Sequence, residues 1–196
     1  MFESLRQRIA LPSAPRLFVP GFLRPVALRR VHVFHGLSWQ TDRHGRLLWV
    51  EEGPVDNILH DEGEQYILAR AFDTDLTGYS STPTNLWLGL DARATLAEAD
   101  TLASITGEPT LGGYARKSVS TTAGFTITQP GAYYQAATGT LAFTASGGNY
   151  GTVKNRFLAT TSDASGKLIC SLALSVDRTV NDGDTLNVSL TIGLSE

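Results

Sequence analysis

The sequence predicts a mainly β protein: an antiparallel β-sandwich or jelly-roll-like body carrying one short helix, preceded by an extended N-terminal arm. Three observations predict it. Short runs that alternate apolar and polar residues recur between Gly, Asn, Asp and Ser turn signals from about residue 86 to residue 194. Charge changes sign near residue 50: residues 1–50 hold eight arginines against Glu3 and Asp42, a local charge of +6, and the remainder carries −9. Pro12, Pro15, Pro20 and Pro25 interrupt an apolar N-terminal stretch. Two parts are expected, residues 1–50 as a basic arm ending in a hairpin and residues 51–196 as the β body.

In chain order, Phe2, Leu5 and Ile9 share helical spacing with Arg6 and Arg8 beside them, which predicts a short amphipathic turn that needs a neighbour to stand. Prolines at the density found over residues 12–25 prevent both a continuous helix and a central strand, so this segment is expected to run extended. Its Phe18, Val19, Phe22 and Leu23 must then be covered by another surface. Residues 31–37 and 47–50 read as two strands of a hairpin around the turn formers of residues 41–45.

Residues 61–72 read as the helix. Asp61, Glu62 and Glu64 crowd its first turn and Arg70 lies in its last, complementing the helix dipole, while Ile67, Leu68, Ala71 and Phe72 form the face expected to pack on the body. Residues 92–103 are expected to hold a further short helix. Strands are expected at 86–90, 114–119, 125–129, 133–137, 140–145, 153–160, 167–176 and 185–194. In the last two, Leu168, Cys170, Leu172, Leu174 and Val176, then Leu186, Val188, Leu190 and Ile192, alternate with polar or small residues. The Asn181-Asp182-Gly183-Asp184 turn between them predicts a hairpin.

Composition excludes several classes. At 196 residues the chain suits one β domain with an extension. No apolar run is long enough to span a bilayer and the N-terminus lacks the apolar core of a secretory signal, so a soluble, cytoplasmically made product without membrane contact is expected. Cys170 is the single cysteine, which rules out an intramolecular disulfide and multi-thiolate zinc, and its apolar strand setting predicts an inert core thiol.

Candidate chemistry is sparse. His32 and His35 stand an odd number of residues apart, so in a regular strand they face opposite ways and do not share a metal; His44 and His60 lie nearby in sequence. Asp73 with Asp75, and Asp182 with Asp184, resemble fragments of calcium loops but lack the remaining ligands, and read as turn chemistry. Glu51, Glu52, Asp56, Asp61, Glu62 and Glu64 contain enough carboxylates for a glycosidase pair, although three of them sit where a helix N-terminus already favours negative charge. Nucleophile-elbow, phosphate-loop and dinucleotide patterns are absent. Trp39, Trp49, Trp87, Tyr133, Tyr134 and Tyr150 suit either a sugar-stacking platform or core and interface anchors. The arm's arginines, interleaved with proline and aliphatics beside an acidic body, fit a protein groove better than nucleic acid.

Several strings together carry a resemblance. Asn57-Ile58-Leu59-His60-Asp61-Glu62-Gly63-Glu64-Gln65-Tyr66-Ile67-Leu68, Leu86-Trp87-Leu88-Gly89-Leu90, Glu108-Pro109 with Gly113-Tyr114-Ala115-Arg116-Lys117, and Gly183-Asp184-Thr185-Leu186 resemble small structural proteins of tailed-bacteriophage virions. The resemblance spans roughly residues 55–194 and leaves the arm outside. It implies a β-rich subunit assembled in multiple copies on a head or a tail, and brings no catalytic residue with it.

The expectation that follows is a non-enzymatic virion protein assembled in the host cytoplasm, without cofactor or metal. Its leading form is a capsid decoration or cement subunit. Its arm would lie on the major capsid protein or another virion subunit through Phe18, Phe22, Arg24, Arg29 and Arg30, while the bodies associate as a homo-oligomer such as a trimer. One alternative is a tail fibre, collar or tip component with a glycan-binding face. Another is a glycan hydrolase using acids between Glu51 and Glu64.

Overall fold

The computed structural model describes residues 30–51, 57–72, 83–129, 131 and 134–195. Their strands are β1 (Arg30–His35), β2 (Ser38–Thr41), β3 (Leu47–Glu51), β4 (Asn57–Leu59), β5 (Asn85–Asp91), β6 (Lys117–Ser120) and β7 (Phe125–Thr128). There follow β8 (Gln135–Thr138), β9 (Leu141–Thr144), β10 (Gly151–Ala159), β11 (Leu168–Val180), β12 (Thr185–Val188) and β13 (Thr191–Ser195). One α-helix, α1 (Asp61–Phe72), and a 3-10 turn at Leu102–Ser104 complete the described elements. The protein is mainly β, and every strand pairing is antiparallel.

Three sheets form, in the orders β1-β13-β8-β7, β3-β2-β12-β9 and β4-β11-β10-β5-β6. The two four-stranded sheets join through a corner. Strand pairs β1/β2, β8/β9 and β12/β13 each break at the same level, where the Ser189 amide donates to Leu37 O at 2.9 Å and the Thr138 amide to Leu190 O at 2.8 Å. Bends of this kind let a strand leave one sheet and enter the next without losing its ladder partners. The combined surface faces the five-stranded sheet as in a sandwich.

Between them lies the main core, with Leu88 and Leu90 of β5, Leu158 of β10, and Cys170 and Leu172 of β11 meeting Phe143 of β9 and Leu186 and Val188 of β12. The opposite face of the five-stranded sheet is also covered. There Phe157, Ala159 and Leu168 pack against Leu96, Leu102 and Ile105 of the 92–116 connection. A strand covered on both faces loses the simple alternation of a one-sided sheet, which accounts for the unbroken burial from Leu88 to Asp91.

Several expectations from the sequence change here. The hairpin around residues 42–46 exists but joins β2 to β3, whereas residues 30–35 pair with β13. Its turn is held by Asp42, whose carboxylate takes the amides of Arg46 and His44 and the Arg46 guanidinium; these donors, the Arg46 amide foremost, pull its pKa down to about 2. Residues 185–194 form two strands in two sheets. The Asn181-Asp182-Gly183-Asp184 turn is a crossover between opposed sheets, because β11 and β12 do not pair. Asp184 closes it by accepting Gln40 Nε2 and the Asn181 amide at 3.1 Å each. Residues 92–103 are a connection fastened by Asp100, which accepts the Ala97 amide and the Ser104 hydroxyl.

The alternation expected through Val176 fails at a bulge. Val153 pairs with Arg178 and Asn155 with Ala173, so β11 takes five steps where β10 takes two. The extra residues swing Val176 out to 55% exposure.

Helix α1 has the expected bounds and a different inward face. It packs through Gly63, Ala69 and the half-buried Tyr66, leaving Leu68 and Phe72 exposed at 57% and 84%. Gly63 explains the rotation. A Cβ there would overlap the Ile169 carbonyl, so the bare backbone lets α1 approach β11 more closely than a row of large side chains would. Gly63→Ala is expected to lower stability by about 1–3 kcal/mol through overpacking. Gly139→Ala, where nothing lies within 4 Å of the new carbon, should change it by less than about 0.5 kcal/mol. Urea unfolding of the two variants checks the pair.

Candidate functional site

The buried polar groups of the described residues serve mostly to hold the sheets together. The central one is Arg156 on β10, fully buried and flanked by Leu90 and Leu172 in register. Its guanidinium donates to the Ser38 hydroxyl on β2 and lies 3.4 Å from Glu51 Oε1 on β3. The other Glu51 oxygen accepts the Ser175 amide, which the β11 bulge has released from its ladder. Burial pulls the Arg156 pKa down to about 10 and Glu51 opposes that shift, so the guanidinium stays protonated at neutral pH. Gly36 completes the pocket, since a Cβ there would fall on the guanidinium.

A second cluster surrounds the start of α1. Glu62 accepts the amides of Leu102 at 3.0 Å and Leu168 at 2.8 Å and pairs with Lys167 at 3.2 Å, tying the helix, the 3-10 turn and β11 together. His60 is fully buried beside it. Its Nδ1 lies 3.3 Å from Glu98 O, an atom that can only accept, so the proton sits on Nδ1 and Nε2 accepts the Ser171 hydroxyl at 2.9 Å. Desolvation lowers the His60 pKa below the ordinary 6.5. A histidine and a serine this deeply enclosed make a structural contact rather than a nucleophile and base.

A third cluster fastens the 92–116 connection. Arg116 grips Glu108 with Nε at 2.9 Å and Nη2 at 2.6 Å, donates to the carbonyls of Thr161 and Asp163, and lies 5.1 Å over the Phe157 ring. Tyr114 donates to Glu108 at 2.7 Å and receives the Leu90 amide; burial raises its pKa strongly. Cys170 is fully buried and desolvation pushes its thiol up to about 12, which leaves no thiolate at neutral pH.

Of the residues expected to bind a partner, Phe18, Phe22, Arg24 and Arg29 lie outside the described residues, and Arg30 opens β1 opposite Ser195. Glu52, Asp56, Asp73, Asp75 and Tyr133 also lie outside them. Glu51 and Glu62 are committed as described, while Asp61 and Glu64 are exposed on α1. The strand-parity argument separating His32 from His35 does not carry across the register irregularity between Val33 and His35. Among the described residues no three His, Cys, Asp or Glu side chains gather as a metal site.

The aromatic residues divide instead of forming one platform. Tyr150 is buried and meets Tyr114 edge-on, Trp49 packs on the core beneath Arg178, Trp39 and Trp87 are half-buried on different sheets, and Tyr134 is exposed. Asp182 bears out turn chemistry, accepting the Gly147 and Gly148 amides. Arg156 is the residue that sequence reasoning missed. Its one signal was a cation inside the otherwise apolar end of β10.

Residues 64–192, well over half of the chain, match a family model of phage fibre proteins, which defines the class: a structural protein of a tailed-phage virion. The chain belongs to the family described as podophage GP4 fiber I protein gp80. No curated protein matches it. No helix among the described residues is long and apolar enough to cross a membrane.

Two outcomes follow from the buried clusters. Glu51→Gln should destabilise the protein by about 3–5 kcal/mol, because the Arg156 charge is left buried without its counter-charge; denaturant titration checks it. His60 is held neutral in the fold, so below pH 6.5 the unfolded chain binds the proton first and stability falls as pH drops. The melting temperature should therefore decline on going from pH 7.5 to 5, and His60→Asn should flatten the part of that slope due to this residue.

Proposed function

We propose that this chain is a non-enzymatic subunit of a podophage fibre, present in multiple copies and attached to neighbouring virion proteins through its N-terminal segment. The observation that carries the reading is the match of residues 64–192 to the fibre family. The structure is consistent with it. A β body whose buried charges join one sheet or segment to another is built for rigidity.

Attachment falls to residues 1–30. Phe18 and Phe22 are the apolar anchors, and Arg24, Arg29 and Arg30 the charges that pair with carboxylates of a neighbouring subunit. The same segment also favours a second reading, in which the chain decorates the head and its arm lies on the major capsid protein. Immunogold labelling of intact virions separates the two. Label on the fibres is expected; label spread over the capsid, with co-sedimentation on empty heads, would favour decoration. Deleting residues 1–29 should abolish incorporation into particles, and unchanged incorporation would remove the role given to the arm.

A further inference from the structure

Charge is unevenly spread along this sequence. From Ser118 to Val153 there is no Asp, Glu, Lys, Arg or His, although 18% of the whole chain is Asp, Glu, Lys or Arg. That stretch supplies β7, β8 and β9, and part of it is open to solvent: Thr126, Ile127 and Thr128 of β7 are all exposed, Ile127 at 70%. β7 is the last strand of its sheet and pairs only with β8. Among the described residues, no backbone hydrogen bond reaches β7 from its outer side.

Proteins usually guard such an edge with lysine, proline or a bulge. The other edges carry a charge or are short: β1 has Arg30, β3 is entered directly from the exposed Arg46, β6 has Lys117 and β4 spans three residues. β9 is also uncharged, but the Ser146 amide just beyond it donates away from its ladder to Gly112. Among the described residues, β7 itself carries no charge and no strand lies on its outer side.

We propose that the outer edge of β7 is a self-association surface, on which a second copy of this chain docks by antiparallel addition of its own β7. Charge selects this occupant. Two copies, each with −9 on residues 51–196, repel over most of their surface, and the uncharged edge is where they approach without that cost. Nucleic acid or an anionic glycan would need cations that residues 118–153 do not supply, and the basic arm would find no carboxylate there. A strand with unpaired backbone groups is completed by another strand, and a two-fold axis presents the identical edge to itself. Interfaces are depleted of charge at their centres, as this stretch is.

The inference rests on the multi-copy reading above, and its test is separate. Sedimentation velocity of the purified full chain over a concentration series should show a reversible dimer, with the amides of residues 125–128 slowed in hydrogen exchange. Ile127→Lys, and independently Thr126→Lys, should weaken dimerisation at least about tenfold by setting like charges across the axis, with the melting temperature unchanged. Leu111→Lys, an equally exposed position off this edge, should leave the dimer intact. A chain that stays monomeric, a dimer with unprotected 125–128 amides, or a dimer lost on deleting residues 1–29 but indifferent to both lysines would overturn the proposal. A fibre-labelled but monomeric chain would remove only this proposal; a β7-paired dimer absent from virions would remove the fibre reading instead.

Discussion

The fold depends on one buried ion pair set between opposed sheets. Arg156 comes from the middle of the five-stranded sheet, while Ser38 and Glu51 come from the sheet facing it. The Ser175 amide, freed by the β11 bulge, closes the set on Glu51. Each member solves a problem created by another. The bulge leaves an amide without a ladder partner, Glu51 supplies an acceptor, Arg156 neutralises Glu51, and Gly36 leaves room for the guanidinium. A buried pair of this kind contributes little net stability relative to apolar packing. Its value is positional, since it is satisfied in a single register of β2, β3, β10 and β11.

Local signals were legible in the sequence where local physics decided the outcome. The bounds of α1 follow from acidic residues at its start and Arg70 near its end, and β5, β7, β9 and β10 lie where alternation and turn residues put them. What the sequence did not reveal was set by distant partners. Residues 31–37 read as one half of a hairpin, yet β1 and β2 divide between two sheets because β13 and β12 do so opposite them. The inward face of α1 was misjudged because a glycine carries no hydrophobic signal, although the close approach to Ile169 requires one. Hairpin chemistry at residues 181–184 was read correctly as a turn, but a turn motif does not specify whether the next strand returns to the same sheet.

The acids illustrate the same limit for function. Glu51 and Glu62 belong to a carboxylate cluster that suits hydrolysis on composition alone, and in the fold each accepts from donors of two other segments. The uncharged stretch of residues 118–153 is visible in the sequence without any structure. Its meaning required knowing that β7 ends a sheet.

The pairing of β1 with β13 joins Arg30 to Ser195, so opposite ends of the described chain lie side by side. Contacts of such long sequence separation form late, after loop-closure entropy has been overcome. On the ribosome, β1 therefore lacks its ladder partner until residues 191–195 emerge, whereas β2 can already pair with β3 across the 42–46 hairpin. A product ending before residue 191 would leave β1 without that ladder. The fold thus closes its β1 ladder only in chains that reach residues 191–195, which favours them over shorter fragments when native molecules accumulate.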